Sequence, residues 1–198
     1  MSSTVVVMAT IDWTHELADQ LDWWWREFVR PHLDGLGDEE YRWEPVPGMW
    51  SVRPRAESTA PVQAGAGDAV IEFAIPEPEP PPATTIAWRI GHLVIVFGER
   101  AANHFGDGGV SYRSIDWPLD AAGALALLDR WYAAWIDGVR GLDPEALAAP
   151  CGVHEGEYAD FPFAALVLHI NREAIHHCAE LLLMRDLYRN RTTTGDLS

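Results

Sequence analysis

A stretch that begins just after Asp160 continues without an internal helix breaker to about Arg189, and its apolar residues recur with helical spacing. At 1.5 Å per residue, a helix of this length spans about 40 Å. Three further segments show the same periodicity, and they run approximately over residues 12–33, 85–105 and 119–139. Four long amphipathic helices predict an all-α fold of the four-helix bundle type.

Capping residues support the start of two of these helices. Asp160 is a good N-cap for the fourth helix, with Phe161 and Pro162 predicted in its first turn. Thr84 or Thr85 can cap the second helix in the same way. The helix boundaries are therefore predicted by local chemistry as well as by periodicity.

The connection between the first two helices, from residue 41 to about 84, is long and rich in proline. It ends in the run Glu77-Pro78-Glu79-Pro80-Pro81-Pro82. Prolines at this density exclude a helix and favour a stiff, extended crossover. Within it, residues 69–75 read as one short strand, so we expect at most a short hairpin there.

Length and composition indicate one globular domain. The chain has 198 residues, of which 48% are apolar, and we expect a single domain over residues 1–190 followed by a flexible tail at 191–198. Two cysteines, Cys151 and Cys178, suit a reducing compartment. Residues 1–10 lack the basic region of a signal peptide, and the apolar run at 93–97 is too short to cross a membrane. These features predict a cytoplasmic protein with no membrane association.

The charge balance restricts the partners. Fourteen basic and 30 acidic residues give a net charge of −16, which argues against binding to nucleic acid or to an anionic membrane, because both need a basic surface. Ten tryptophans suggest a wide core or an aromatic-lined pocket. In the run Trp23-Trp24-Trp25 we expect Trp24 to face the core and its neighbours to pack on the long connection or on a second subunit of a homodimer.

The fourth helix carries a polar stripe where a bundle should be apolar, and the stripe comprises His169, Glu173, His177 and Glu180. Glu173 and His177 are four residues apart, so both side chains can bind one metal ion. His92 of the second helix, in the most apolar stretch of the chain and beside Gly91, could supply a third ligand. Three protein ligands leave coordination positions open, as in catalytic metal sites.

The same residues also have structural explanations. A lone histidine such as His92 is often a hydrogen-bonded core residue, and Glu173 with His177 could form an ordinary pair. His176 points about 100° away from His177 on a helix, so it and Glu180 could be a solvated edge. His169 could support the site, pack in the core or face solvent. Glu99 could order a bound water or cap the end of the bundle, and Cys178 reads as a small core residue. Spacing alone leaves a metal site and a structural cluster both open.

Several motifs together resemble the DinB-like superfamily over about residues 12–188. They are Trp88-Arg89-Ile90-Gly91-His92, the pair Glu173 and His177, the segment Glu180 to Tyr188, Trp43-Glu44-Pro45-Val46-Pro47-Gly48 and Trp50-Ser51-Val52. The resemblance implies a four-helix bundle with a divalent metal ion held by His92, Glu173 and His177. Most members have histidine at all three positions. The glutamate at position 173 is similar to the mycothiol-dependent maleylpyruvate isomerases and S-transferases.

The resemblance therefore implies a metal-dependent thiol S-transferase that uses mycothiol or a related small thiol and an electrophilic co-substrate. Zinc and nickel are the expected metals, since both accept imidazole and carboxylate ligands. Two alternatives remain open at this point. The chain could be a non-catalytic metal- or ligand-binding dimer, or a metal-assisted hydrolase, because an open metal site also activates water.

Overall fold

The structure, a computed structural model, describes residues 11–191 and is mostly helical. The first long helix, α1, consists of an α-helical part Trp13–Trp24, a π-helical turn Trp25–Val29 and a last turn Arg30–His32. The other long helices are α3 (Ile86–Phe105), α4 (Ala121–Arg140) and α6 (Phe163–Arg189). Shorter elements are α2 (Asp38–Tyr41), α5 (Pro144–Ala148) and 3-10 turns at Arg55–Glu57 and Val153–Tyr158. The four predicted long helices are present.

The four long helices surround one hydrophobic core. Helix α3 packs against α4 and α6, and α1 packs against the same two helices. Trp135, Phe97, Leu21 and Ile170 are among the core residues that are almost completely buried. The Phe105 ring of α3 packs directly on α4 at Gly138, where an added Cβ would lie 2.1 Å from the ring. This packing holds α3 and α6 side by side, which is the arrangement that the predicted site requires.

The prediction for the tryptophan run is correct only in part, because Trp24 does pack against the core but the fully buried ring is that of Trp25, which was expected to lie elsewhere. Trp25 is 3% exposed, whereas Trp24 is only partly buried and Trp23 is 50% exposed. Buried residues of α1 follow at steps of four from Leu21 through Trp25 and Val29. A π-helical turn has more residues per turn than the 3.6 of an α-helix, so it keeps residues four apart on one face. Trp23 lies on the exposed side against Phe28, and the expected homodimer stays a prediction.

The predicted all-α class needs one correction, because the crossover contains a three-stranded antiparallel sheet. The strands β1 (Val52–Pro54), β2 (Val62–Ala64) and β3 (Ala69–Phe73) lie in the order β1-β3-β2. The predicted strand is β3, which pairs Ile71 with Val52 on one side and with Ala64 on the other. The outer strands have three residues each, too few to show the alternation by which a strand is identified in a sequence.

Glu72 anchors this sheet beside the start of α3. Its buried carboxylate accepts hydrogen bonds from the Ser51 amide at 3.0 Å, Arg53 Nε at 2.8 Å and Ser58 Oγ at 2.6 Å. Its backbone oxygen accepts a bond of 2.7 Å from Trp88 Nε1. A buried carboxylate with this many donors is satisfied, and the sheet is thereby fixed against the helix that carries His92.

The predicted cap of α3 is confirmed and that of α6 is wrong. Thr85 caps α3, since its side chain accepts a hydrogen bond from the Trp88 amide at 3.2 Å. Helix α6 begins at Phe163, and Pro162, not Asp160, occupies the N-cap position without a side-chain hydrogen bond. The Phe163 amide instead donates to Ala149 O at 2.8 Å. A backbone contact with the preceding segment therefore fixes the start of α6.

In residues 11–191, no helix combines the length and the apolar composition required to cross a bilayer. The sequence-based interpretations of residues 1–10, and of the predicted tail from residue 192 onward, lie outside the described part of the chain.

Candidate metal centre

The three residues predicted to bind a metal lie together between α3 and α6. His92 projects from the middle of α3, and Glu173 and His177 occupy successive turns of α6. One donor atom from each of the three side chains lies within 4.8 Å of the other two. The rings of His92 and His177 meet edge to face, with their centroids 4.5 Å apart. The cluster is half-buried, so it is open to solvent on one side.

Gly91 matters to the placement of His92, because a glycine beside His92 was expected to allow another helix to approach closely, and the structure shows a different neighbour. A Cβ at this position would lie 2.8 Å from Ile71 Cδ1 and 3.3 Å from the ring of Trp117. The close approach at Gly91 is therefore to the sheet and to the loop before α4 rather than to another long helix.

His92 is held by aromatic neighbours. Its Nδ1 lies 2.6 Å from the hydroxyl of Tyr112, and the Trp88 ring is stacked on it at 5.2 Å. Burial, together with the neighbouring His177 and the positive charge of Arg89, lowers the pKa of His92 to about 4. The ring is therefore neutral at physiological pH, which is the form that binds a metal ion.

His177 is placed between two carboxylates of its own helix. Its Nε2 lies 3.6 Å from Glu173 Oε2, and its Nδ1 lies 2.8 Å from Glu180 Oε2. Arg89 of α3 forms an ion pair with the same oxygen of Glu180. Glu180 is therefore part of a hydrogen-bonded cluster, and its interpretation as a solvated edge is wrong.

The other polar residues considered as candidates lie outside the group of three donors. The His176 side chain is 63% exposed, and its Nε2 lies 3.5 Å from Glu180 Oε1. His176 therefore lies at the surface, which is one of the two alternatives left open by the sequence. His169 is partly buried, and its Nδ1 is 3.9 Å from Glu173 Oε1. Cys178 is completely buried, as predicted, and burial raises the pKa of its thiol. Glu99 pairs with Arg100 at 2.9 Å.

A second group of three donors, formed by His176, His177 and Glu180, overlaps with the first because both contain His177. It includes the exposed His176, and its carboxylate is already paired with Arg89. Within residues 11–191, no arginine forms an ion pair with Glu173, the carboxylate of the group around His92, and this group draws its donors from two helices. It is therefore the better candidate for a metal site.

Aromatic side chains cover the sheet side of the cluster. Trp88 contacts Trp50 at 6.5 Å between ring centroids, and Tyr112 contacts Phe73 at 5.5 Å. All four rings are partly exposed. The cluster of donors thus borders an apolar, aromatic surface built largely by the crossover and by the loop before α4.

Sequence reasoning missed Tyr112 and Arg89 as parts of the site. Tyr112 lies in the loop after α3, 20 residues from His92, and Arg89 is 91 residues from Glu180. No local periodicity connects residues so far apart. The one available signal was the position of Arg89, three residues before His92 and so on the same side of α3.

The donor set fits a divalent metal ion. Two imidazoles and one carboxylate are common ligands of zinc and similar ions, and ligands at about 2.1 Å from one tetrahedral ion are roughly 3.4 Å from each other. The distance of 3.6 Å between His177 Nε2 and Glu173 Oε2 is close to that value. With Nδ1 of both histidines engaged by Tyr112 and Glu180, Nε2 is the nitrogen that remains for a metal.

Comparison with known proteins identifies the family. Searches of curated proteins and of solved structures gave no significant match to the chain. A sequence model of the DinB superfamily matches residues 20–181, which include the three clustered donors and all four long helices in whole or in large part. The chain belongs to the DinB superfamily.

Proposed function

We propose that this protein is a metal-dependent thiol S-transferase with a divalent ion, zinc or nickel, held by His92, Glu173 and His177. The observation that carries the proposal is the convergence of these three donors, from two helices, within 4.8 Å. Members of the DinB superfamily generally bind metal ions. The glutamate at position 173 supports the thiol-dependent branch, because that branch has a carboxylate at the corresponding position.

The geometry of the cluster suits this chemistry. Three protein ligands leave room for a substrate atom, and the half-buried setting gives a small molecule access. A divalent ion bound here would lower the pKa of a coordinated thiol and so make the thiolate available at neutral pH. Neutral His92 needs no deprotonation to act as a ligand.

The aromatic surface beside the cluster supports an electrophilic co-substrate of apolar character. Trp88 and Tyr112 both contact His92, so a molecule resting on these rings would lie next to the sulfur of the thiol. Positioning two reactants in this way is a major source of rate acceleration. In the transfer, the thiol loses its proton to solvent and the sulfur forms a bond to the electrophilic carbon. The bond between that carbon and its leaving group breaks at the same time, and the leaving group departs with the bonding electron pair.

Metal analysis and a thiol-conjugation assay test the proposal. We expect purified protein to bind one zinc or nickel ion per chain and to accelerate the conjugation of a low-molecular-weight thiol such as mycothiol with a bimane electrophile. His177→Ala should lose both properties, because it leaves one ligand on each of two helices. His176→Ala is the matched control, since it removes an adjacent but exposed histidine, and it should retain both.

Two other results would redirect the assignment. Metal-dependent hydrolysis of an activated ester without added thiol would favour a hydrolase that uses the same three ligands. Stoichiometric metal binding with neither reaction would favour a non-catalytic metal-binding protein. Failure of the wild-type protein to bind either metal would contradict all three assignments.

A further inference from the structure

We infer that Arg89 and Glu180 are positioning residues that fix the tautomer and the orientation of His177. Glu180 sets which nitrogen of the ring carries the proton, and Arg89 holds Glu180 in the place where it can do so. The consequence for metal binding rests on the proposed function, whereas the tautomer of His177 is a property of the chain alone.

The hydrogen-bonding partners determine the tautomer. Arg89 can only donate hydrogen bonds, so Glu180 Oε2 acts as an acceptor towards it. The same carboxylate oxygen lies 2.8 Å from His177 Nδ1. A carboxylate that accepts from both neighbours requires the hydrogen on Nδ1, which leaves the lone pair of His177 on Nε2. Nε2 is the nitrogen that faces Glu173, at 3.6 Å.

Arg89 determines which histidine Glu180 serves. His176 Nε2 lies 3.5 Å from Glu180 Oε1, so the carboxylate has a competing partner on the exposed side of α6. The Arg89 side chain is only 15% exposed, and it extends from α3 to the Oε2 atom. Its ion pair holds that oxygen next to His177, in the interior, and leaves the other oxygen towards His176. Without Arg89, the carboxylate could turn towards His176 and solvent.

Charge supports a specific pairing rather than an incidental surface contact. The Arg89 side chain is mostly buried, and its Nε has no hydrogen-bond partner within the described residues. Glu180 is therefore its sole carboxylate partner there. An arginine buried beside a cation site would repel the metal unless its charge were balanced, so Glu180 both orients His177 and neutralises Arg89.

The expected effect on the metal follows from the behaviour of such outer-shell partners. Removal of a group that orients a metal-binding histidine typically lowers metal affinity by about 10- to 100-fold. Tyr112 differs from Glu180, because a hydroxyl both donates and accepts and so does not determine the tautomer of His92. The inference is therefore specific to His177.

Long-range proton–nitrogen NMR of metal-free protein tests the tautomer directly. In the spectrum of the neutral ring, we expect wild-type His177 to be protonated on Nδ1, with its signals assigned by their loss in His177→Ala. Glu180→Met should shift His177 towards the Nε2-protonated form, while His176→Ala should leave it unchanged. Wild-type His177 protonated on Nε2, or signals unaffected by Glu180→Met, would overturn the inference.

Zinc affinity, measured by competition with a chelator, separates orientation from charge balance. We expect about a 10- to 100-fold loss in Glu180→Met and a loss that persists in the double variant Arg89→Met/Glu180→Met, which leaves no unpaired charge. Full recovery of affinity in the double variant would show that Glu180 only neutralises Arg89, and would overturn its orienting role. If the wild-type protein bound no zinc, the proposed function would fail, and the NMR result would still decide the tautomer.

Discussion

Glu173 distinguishes this site from one made only of histidines. Its replacement tests whether zinc binding requires a carboxylate at position 173 or only a side chain that can act as a ligand there. We expect Glu173→His to retain zinc binding, because an imidazole at this position can reach the same point from the same turn of α6. Histidine is also the residue that most members of the superfamily have there. Glu173→Leu should reduce affinity strongly, since only His92 and His177 would remain.

The measurement is metal content after dialysis, with a circular dichroism spectrum to show that each variant is folded. Loss of zinc in both Glu173 variants would indicate that a carboxylate is essential. Retention in both would remove Glu173 from the ligand set.

Asp22 shows how a buried carboxylate connects two helices away from the site. It accepts hydrogen bonds from Tyr132 at 2.6 Å, Arg140 at 2.6 Å and Arg26 at 2.8 Å. Burial raises the pKa of Asp22, but the hydrogen bonds from Tyr132 and Arg26 and the charge of Arg140 outweigh burial, and the pKa is lowered overall. The ionised form is therefore favoured in the folded protein.

The sign of the pH dependence follows from that shift. A carboxylate whose pKa is lowered on folding stabilises the protein above its unfolded pKa of about 3.9, and the contribution is lost as the pH falls through the folded value. We expect Asp22→Asn to lower the free energy of unfolding by about 1.5–3 kcal/mol at neutral pH. In urea titrations the difference from wild type should shrink in acid.

Asp137→Asn is the control for this comparison, because Asp137 lies 3.7 Å from the same arginine, Arg140, but is 75% exposed. Exposed ion pairs contribute about 0–1 kcal/mol, so we expect little change at either pH. A loss for Asp22→Asn that is equally large in acid and at neutral pH would assign the effect to packing rather than to charge.

Sequence periodicity predicted the long helices well because each is determined by contacts three and four residues apart. It failed at the tryptophan run of α1, because the buried face before the run is formed by Leu17, Ala18, Leu21 and Asp22, and Trp25 follows Leu21 by four residues. The π-helical turn Trp25–Val29 then keeps Val29 on the same face. Nothing in the local sequence marks that turn. The tryptophan that enters the core is Trp25, whose ring is stacked on Tyr132 of α4 at 4.1 Å and meets Phe97 of α3 edge to face.

The tryptophan run therefore gives a direct test of the phase of α1. We expect Trp25→Ala to lower the free energy of unfolding by about 3–5 kcal/mol, as for other large-to-small changes of buried aromatic residues. Trp23→Ala should change it by less than about 0.5 kcal/mol, because that residue is at the surface. Urea denaturation of both variants and of Trp24→Ala provides the comparison, and a larger loss for Trp24→Ala than for Trp25→Ala would contradict the observed phase.

The crossover shows the limit of sequence interpretation for whole elements. The five-residue strand β3 was recognisable because it is flanked by turn residues and rich in β-branched and aromatic residues. Its partners were not, since each has three residues and one of them ends in Pro54. Pairing between strands is non-local information that a single sequence does not display. The same holds for the contact of Tyr112 with His92, in which a loop residue completes a site on a helix.

The molecule as a whole combines a locally predictable helical frame with a site whose supporting groups are distant in sequence. His92, Glu173 and His177 could be chosen from spacing and resemblance, and the helix packing brings them together. Arg89 and Glu180 connect α3 to α6 at the same level of the structure. Assembly of the site thus depends on the correct packing of these two helices, which the sequence constrains only indirectly.

The net charge of the molecule bears on whether it can bind nucleic acid. The chain carries a charge of −16, and all 14 of its basic residues are arginine. Seven of them, half of the total, already form ion pairs with acidic side chains within residues 11–191; they are Arg26, Arg30, Arg53, Arg89, Arg100, Arg140 and Arg185. Binding to duplex DNA depends on basic groups that replace the counterions of the phosphates. A surface with this balance has few such groups to offer.

We therefore expect no salt-dependent affinity for duplex DNA. In a gel-shift titration at several salt concentrations, the protein should leave the DNA unshifted up to micromolar concentration, while a basic DNA-binding domain in the same buffers shows the usual loss of affinity with salt. Each phosphate contact that a protein makes contributes a slope of about −0.9 to the dependence of log affinity on log salt, so a slope near zero reports the absence of such contacts. A shift at submicromolar protein and physiological salt would contradict this expectation, because it would require a local basic surface strong enough to overcome the net repulsion between protein and DNA.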